Sequence, residues 1–333
     1  MILSVGEYDA LEQEARCGLS FCELMAFAPR TFDMLGFPHR VEDERELVRY
    51  ADWNRDTGNQ EYFRPGHFFG GPAVQTDFTA DEVEMMNRVR DQAVAATTKL
   101  GRPVRPLCSP FAQLGLFRIL AAIGLPGLRV FEVGPGTAYL GAMLINEGAS
   151  YYSFTDNAQA LFLWQCRLMA EVGYQPTSRA GLPWWDFARG VNLLPVDVVV
   201  SNTNLGEMTG DALKITAHRA RQMLERSPLG LFLFVNVGAP MYNSEEGVDR
   251  ELRRAGFSLV VNRFFRAYRA PNSEPLPEAA LALEFGMPLY NPSGRPGTVS
   301  GGEAVYIPDD QRPLDLDVTE LLEGWRPPVR SKP

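Results

Sequence analysis

Phe131-Glu132-Val133-Gly134-Pro135-Gly136-Thr137-Ala138-Tyr139-Leu140 follows the run Leu128-Arg129-Val130 and leads into Gly141-Ala142-Met143-Leu144-Ile145. The order is strand, glycine turn, helix. That unit brings backbone N–H groups and a helix N-terminus up to a ligand. A dinucleotide fingerprint reads G-x-G-x-x-G, its third glycine letting helix and strand pack under a pyrophosphate. Gly134 and Gly136 fit, but Tyr139 stands where the third glycine belongs. The spacing fits E-x-G-x-G-x-small better, with Glu132 before the turn and Ala138 as the small residue. A tight turn between two core elements is the plainer alternative.

That form resembles motif I of the class I S-adenosylmethionine-dependent methyltransferases. The resemblance implies S-adenosyl-L-methionine as cofactor, a ligand without phosphate whose compact amino-acid moiety the turn Gly134-Pro135-Gly136-Thr137 would admit. Its ammonium favours a carboxylate such as Glu132, and its carboxylate favours the N–H groups of the turn. The next β-type run, Tyr151-Tyr152-Ser153-Phe154-Thr155, ends in Asp156. An acid there is placed to hold a ribose diol, both hydroxyls donating to one carboxylate. Asp156 also suits the N-cap of a helix predicted from Asn157 to Val172. A nicotinamide enzyme would want the same acid.

Val196-Asp197-Val198-Val199-Val200-Ser201-Asn202 reads as a buried parallel strand and runs into the polar turn Thr203-Asn204-Leu205-Gly206-Glu207-Met208-Thr209. In doubly wound sheets, ligands sit at the carboxyl ends of the strands beside the switch point, so this turn would face the reacting centre. The stretch is similar to the fourth-strand motif of bacterial sugar O-methyltransferases, and Pro183-Trp184-Trp185 resembles the Pro-Trp that precedes it there. The resemblance covers the middle third of the chain. It implies that Trp184 or Trp185 meets the adenine by ring contact and that Asp186 accepts from its exocyclic amine; two core tryptophans in a turn is the equal alternative. Asn157 and Asn202 are candidates to line the cofactor; Asn202 also suits orienting a substrate hydroxyl or simply forming the turn.

Composition narrows the partners. A net charge of -9 without a basic cluster argues against nucleic acid, because neutralising phosphates needs gathered Lys and Arg. Cys17, Cys22, Cys108 and Cys166 have neither C-x-x-C spacing nor histidine partners, so no metal is assigned. The N-terminus turns acidic at Glu7, unlike a secretory signal. The longest apolar stretch, Leu114 to Val133, is broken by Arg118, Pro126 and Arg129 and cannot span a bilayer. The expected setting is cytoplasmic, with a small-molecule acceptor, no membrane and a homodimer as an option.

Alternation of strands and helices predicts an α/β fold: a doubly wound, mostly parallel Rossmann-like methyltransferase sheet with an N-terminal, mainly helical cap. The division expected is 1–105 for the cap and substrate lid, 106–312 for the methyltransferase core and 313–333 for a tail. Thr79-Ala80-Asp81-Glu82 is a capping-box signature for a helix towards Leu100. Strands are expected to end at Val133, Thr155 and Ser201, with a poorly marked one near Pro176 to Ala180. Two more are expected at Gly230 to Asn236 and Phe257 to Val261. The last strand is placed at either Ala280 to Phe285 or Glu303 to Ile307.

Methyl transfer to a hydroxyl needs two reactants positioned, water excluded and a proton accepted. Among the three histidines, His67 in the aromatic-glycine loop is the candidate base, whereas His218, mid-helix, reads as a surface or structural residue. Glu207, after the fourth strand, competes with it; capping or orienting the next helix is its structural role. Asn204 would orient an acceptor hydroxyl or simply form the turn. Tyr62 and Arg64 are placed to reach the methionine carboxylate from the lid. The reading is methyl transfer from S-adenosylmethionine to a hydroxyl of a small polar metabolite, a sugar or natural product. N- or C-methylation, a nicotinamide oxidoreductase and a non-catalytic methyltransferase-like binding protein are the alternatives.

Overall fold

Four runs rich in β-branched and aromatic residues suit strands buried on both faces. They form Arg129–Val133 (β1), Tyr151–Thr155 (β2), Val198–Val200 (β3) and Leu231–Phe234 (β4). The computed structural model describes residues 2–27, 39–52, 79–106, 109–174, 180–201, 204–234, 242–262, 266–271 and 273–274. The four strands pair in parallel: Phe131 lies opposite Ser153 on one side and Val199 on the other, and Val199 lies opposite Phe232. Ser258–Asn262 (β5) and Arg266–Arg269 (β6) close the sheet, whose order is β2-β1-β3-β4-β6-β5. Strand β6 is antiparallel to both neighbours. The α/β, mostly parallel sheet expected from the sequence is what the chain forms.

Strand β6 was not foreseen. Its two arginines flank Ala267 and Tyr268, which are buried, so a four-residue core strand reads as a polar link. Both segments considered for the last strand lie outside the described residues, as does 313–333. So do residues 175–179, where the poorly marked strand was expected. Beside them, Gly181 makes a single parallel bridge to Phe154.

The helices are Val5–Cys17 (α1), Phe21–Ala26 (α2), Ala80–Lys99 (α3), Ser109–Gly124 (α4), Tyr139–Asn146 (α5), Gln159–Glu171 (α6), Trp184–Arg189 (α7), Gly210–Leu224 (α8) and Glu245–Arg254 (α9). Glu44–Asp52 is a 3-10 helix. Helix α3 starts at Thr79 with the expected capping box to Glu82. The same device, Ser4 with Glu7 and Ser20 with Glu23, starts α1 and α2. Each box satisfies two backbone donors that a helix start leaves open. Helices α3, α4, α5 and α6 pack together, and α8 packs with α2, α7 and α9. This is the grouping expected when helices cover opposite faces of one sheet.

The N-terminal helices share the core of the sheet: Tyr8, Leu47, Tyr50 and Met86 belong to the same buried cluster as Val130, Phe131 and Val199. Polar ties reinforce that join. The Tyr139 hydroxyl of α5 donates to the Ala51 carbonyl, and Arg167 of α6 pairs with Glu44 at 2.8 Å. Among the described residues, no helix is long and apolar enough to cross a membrane.

Candidate functional site

Strand order reverses at β1: the chain passes from β1 outward to β2, then returns to place β3 on the other side. A crevice at the carboxyl ends of such strands is where open α/β sheets take ligands. Three loops meet there: the glycine turn after β1, Asp156 after β2 and the turn 204–208 after β3.

Gly134, Gly136 and Ala138 all have positive φ, at 67°, 58° and 60°. Alternate left-handed residues wind the chain tightly enough to start α5 without a side-chain cap. Ala138 holds a conformation L-residues avoid, and such local strain gathers at ligand sites. The turn is braced from behind. Gly134 N donates to Thr155 O at 2.8 Å, Trp164 Nε1 to Thr137 O at 3.2 Å, and Gln165 Nε2 to Gly136 O at 2.9 Å. The close helix–strand approach that a dinucleotide fingerprint assigns to its third glycine occurs at Gly141 instead. A Cβ there would lie 2.2 Å from the Tyr152 ring.

Asp156 is buried and does not cap α6 directly; the N-cap is Ala158. Its carboxylate accepts from Ala158 N at 3.0 Å and from Gln165 Nε2 at 2.8 Å. Gln165 thus ties the acid to the glycine turn. Glu132 is buried as well and accepts from the Tyr152 hydroxyl at 2.7 Å. Burial raises both carboxyl groups, Glu132 to about 7 and Asp156 to about 6. Tyr152 opposes the shift at Glu132 and the nearby Asp156 adds to it; at Asp156, hydrogen bonds from Ala158, Gln165 and Asn157 oppose it.

A carboxyl raised in the folded state binds protons that the unfolded chain has released, so its contribution to stability is present below its unfolded pKa and lost as pH rises through its folded one. For Glu132 that window runs from 4.5 to about 7. Glu132→Gln keeps an acceptor for Tyr152 and removes the buried charge. Its stability relative to wild type is expected to rise by roughly 1–3 kcal/mol between pH 4.5 and pH 8. Urea unfolding at both pH values checks this; a difference independent of pH would contradict it.

The turn after β3 is built onto the glycine turn through Asn204. Its Nδ2 donates to Val133 O at 2.6 Å, and its Oδ1 accepts from the Ser201 hydroxyl at 2.7 Å. The side chain expected to orient an acceptor hydroxyl is thereby engaged in bracing two loops. Glu207, half-buried, sits on the same turn with its N–H on Asn204 O at 3.1 Å. Tyr242 and Asn243 hold that turn through the Gly206 carbonyl, and the Asn243 side chain donates to Met208 O at 2.6 Å. The cap of α8 is Thr209, not Glu207.

Trp185 is buried edge-on against Tyr8, with ring centroids 5.1 Å apart. Asp186 pairs with Arg189 of its own helix at 2.8 Å. Asn157 reaches the Phe27 carbonyl at 3.4 Å. His218 is exposed on α8, as expected. His67, Tyr62, Arg64 and Asn202 lie outside the described residues. Sequence reading missed Tyr152, Trp164, Gln165 and Tyr8. Gln165 did carry a signal, a lone amide inside Leu161-Phe162-Leu163-Trp164-Gln165-Cys166, but its partners are set by packing.

No protein-family model matches the chain, and no curated protein does. Several solved structures are similar to it in part. Magnesium protoporphyrin IX methyltransferase from Synechocystis PCC 6803, with bound SAM, is similar at 20% identity over 69% of this chain and 99% of that one, with a TM-score of 0.38. A TehB-like SAM-dependent methyltransferase from Corynebacterium glutamicum is similar at 15% identity over 57% and 98%, with a TM-score of 0.39. The CcbJ methyltransferase from Streptomyces caelestis is similar at 16% identity over 50% and 90%, with a TM-score of 0.36.

Proposed function

We propose that this chain is a class I S-adenosylmethionine-dependent methyltransferase acting on a hydroxyl of a small polar metabolite, a sugar or natural product. The observation that carries the reading is the pair of buried carboxyls, Glu132 and Asp156, on either side of a left-handed glycine turn. Neither is ion-paired among the described residues, and burial pushes both towards the neutral form. A ligand with a sulfonium and an ammonium, and no phosphate, gains from two such acids. Asp156 would suit a nicotinamide dinucleotide equally; Glu132 beside the turn separates the two, since a diphosphate there gains nothing from a carboxyl.

The residues present fit the cofactor. Buried Thr155 Oγ1 and Gln165 Oε1, beside Asp156, have no hydrogen-bond partner among the described residues. Bound S-adenosylmethionine would supply an electrophilic methyl group. In this proposal Gly134, Pro135, Gly136 and Thr137 cradle the amino-acid end, Glu132 favours its positive charge, and Asp156 accepts from the ribose hydroxyls. Asn157, Trp185 and Asp186 flank the nucleoside; Tyr62, Arg64 and Asn202 complete the enclosure. Glu207, held at the end of β3, accepts the proton of the acceptor hydroxyl, with His67 the competing base. The turnover of Glu207→Gln against His67→Gln decides between them once an acceptor is identified.

Calorimetric titration of the purified chain with S-adenosylmethionine, S-adenosylhomocysteine and NAD tests the reading. Micromolar binding of the first two and none of NAD is expected. Binding of NAD alone would overturn it.

A further inference from the structure

Helix α1 is tied by polar contacts to the starts of α6 and α7. Asp9 accepts from Gln159 Nε2 at 2.6 Å, at the start of α6 and three residues past Asp156, and from Arg40 Nη1 at 2.6 Å. Glu12, buried one turn later, accepts from Trp184 Nε1 at 2.9 Å, at the start of α7, and also pairs with Arg40. Between these anchors α1 inserts Tyr8, which is fully buried. Its ring meets Phe162 at 5.5 Å and Trp185 at 5.1 Å between centroids. Its hydroxyl is buried without a hydrogen-bond partner among the described residues. Burial, and then the charge of Asp156, push the phenol well above its ordinary range, so it stays protonated and able to donate.

A buried hydroxyl left unpaired costs free energy that phenylalanine at the same place would avoid. Such orphans are rare, and a partner from outside the chain, a ligand or a water, is one way they are completed. Thr155 Oγ1 and Gln165 Oε1 are buried and unpartnered in the same neighbourhood, one on the residue before Asp156 and the other on its hydrogen-bond partner.

We propose that Tyr8 is a cofactor-binding residue: α1 covers the nucleoside, and the Tyr8 hydroxyl hydrogen-bonds its ribose edge beside Asp156. This inference rests on the S-adenosylmethionine reading above.

The test is Tyr8→Phe, which keeps the ring and removes the oxygen. The thermal midpoint of the free protein is measured with affinities for S-adenosylhomocysteine and for 5′-methylthioadenosine, which lacks the amino-acid end. The midpoint is expected to hold or rise, while both ligands weaken about tenfold. Unchanged affinity in a variant whose parent binds S-adenosylhomocysteine overturns the role of Tyr8 and leaves the cofactor reading standing. A loss confined to S-adenosylhomocysteine overturns the placement at the ribose. A lowered midpoint would show that the hydroxyl is already bonded in the free protein, and would also overturn it. Failure of the unaltered protein to bind either ligand overturns this inference and the methyltransferase reading together.

Discussion

Asp156→Asn is expected to weaken S-adenosylhomocysteine binding about hundredfold without lowering the thermal midpoint of the free protein. A ribose diol presents two donors, and a carboxylate accepts both; an asparagine accepts one and turns N–H bonds towards the other. Losing two charge-assisted hydrogen bonds, with one oxygen left facing a donor, costs about 3 kcal/mol, which is about two decades in affinity. The free protein loses little. The substituted amide can accept from only one of Ala158 N and Gln165 Nε2, the two donors now on separate carboxylate oxygens, so one bond is lost. Removing the charge offsets that loss by relieving a burial penalty that raises the Asp156 carboxyl to about 6. Stability and affinity should therefore separate. Calorimetry alongside a thermal scan checks both, and an affinity within about threefold of wild type would remove Asp156 as the ribose acceptor.

The parts of this site that were legible in the sequence are those fixed by local spacing. A glycine turn must follow a strand and precede a helix within a few residues, so Glu132, Gly134, Gly136 and Ala138 could be found together. Asp156 was found because it ends a strand whose Tyr151-Tyr152-Ser153-Phe154-Thr155 pattern is clear. The capping box at Thr79 is a four-residue code; the same code at Ser4 and Ser20 was there to be read and was passed over. What spacing does not encode is which side chain crosses from another element. Tyr152 meets Glu132 because parallel register sets β2 against β1, and Gln165 meets Asp156 because α6 packs back over the turn. Tyr8 reaches the site from a helix more than a hundred residues earlier in the chain. Trp185 illustrates the limit. The resemblance implies a place near the nucleoside for it, but only the packing shows its ring against Tyr8.

Gly134→Ala is expected to destabilise the protein by roughly 2–4 kcal/mol, and about half of that cost should depend on Asn204. Two terms add. An alanine at φ +67 enters the left-handed region, at roughly 1–2 kcal/mol. Its Cβ would then lie 2.0 Å from Asn204 Nδ2, a separation real atoms do not tolerate, so the amide must leave. Leaving breaks its bonds to Val133 O and to the Ser201 hydroxyl, and strands buried partners at about 1 kcal/mol or more. Backbone strain alone is the competing explanation, and a double-mutant cycle separates the two. If the clash matters, Gly134→Ala should cost about 1–2 kcal/mol less in an Asn204→Ala background, where no amide remains to be displaced. If strain alone acts, the two changes should add within about 0.5 kcal/mol. Denaturant unfolding of the four proteins gives the answer. Coupling would mean that the first and third strand ends are one mechanical unit, so that the turn carrying Glu207 is set by the same contact that shapes the glycine turn.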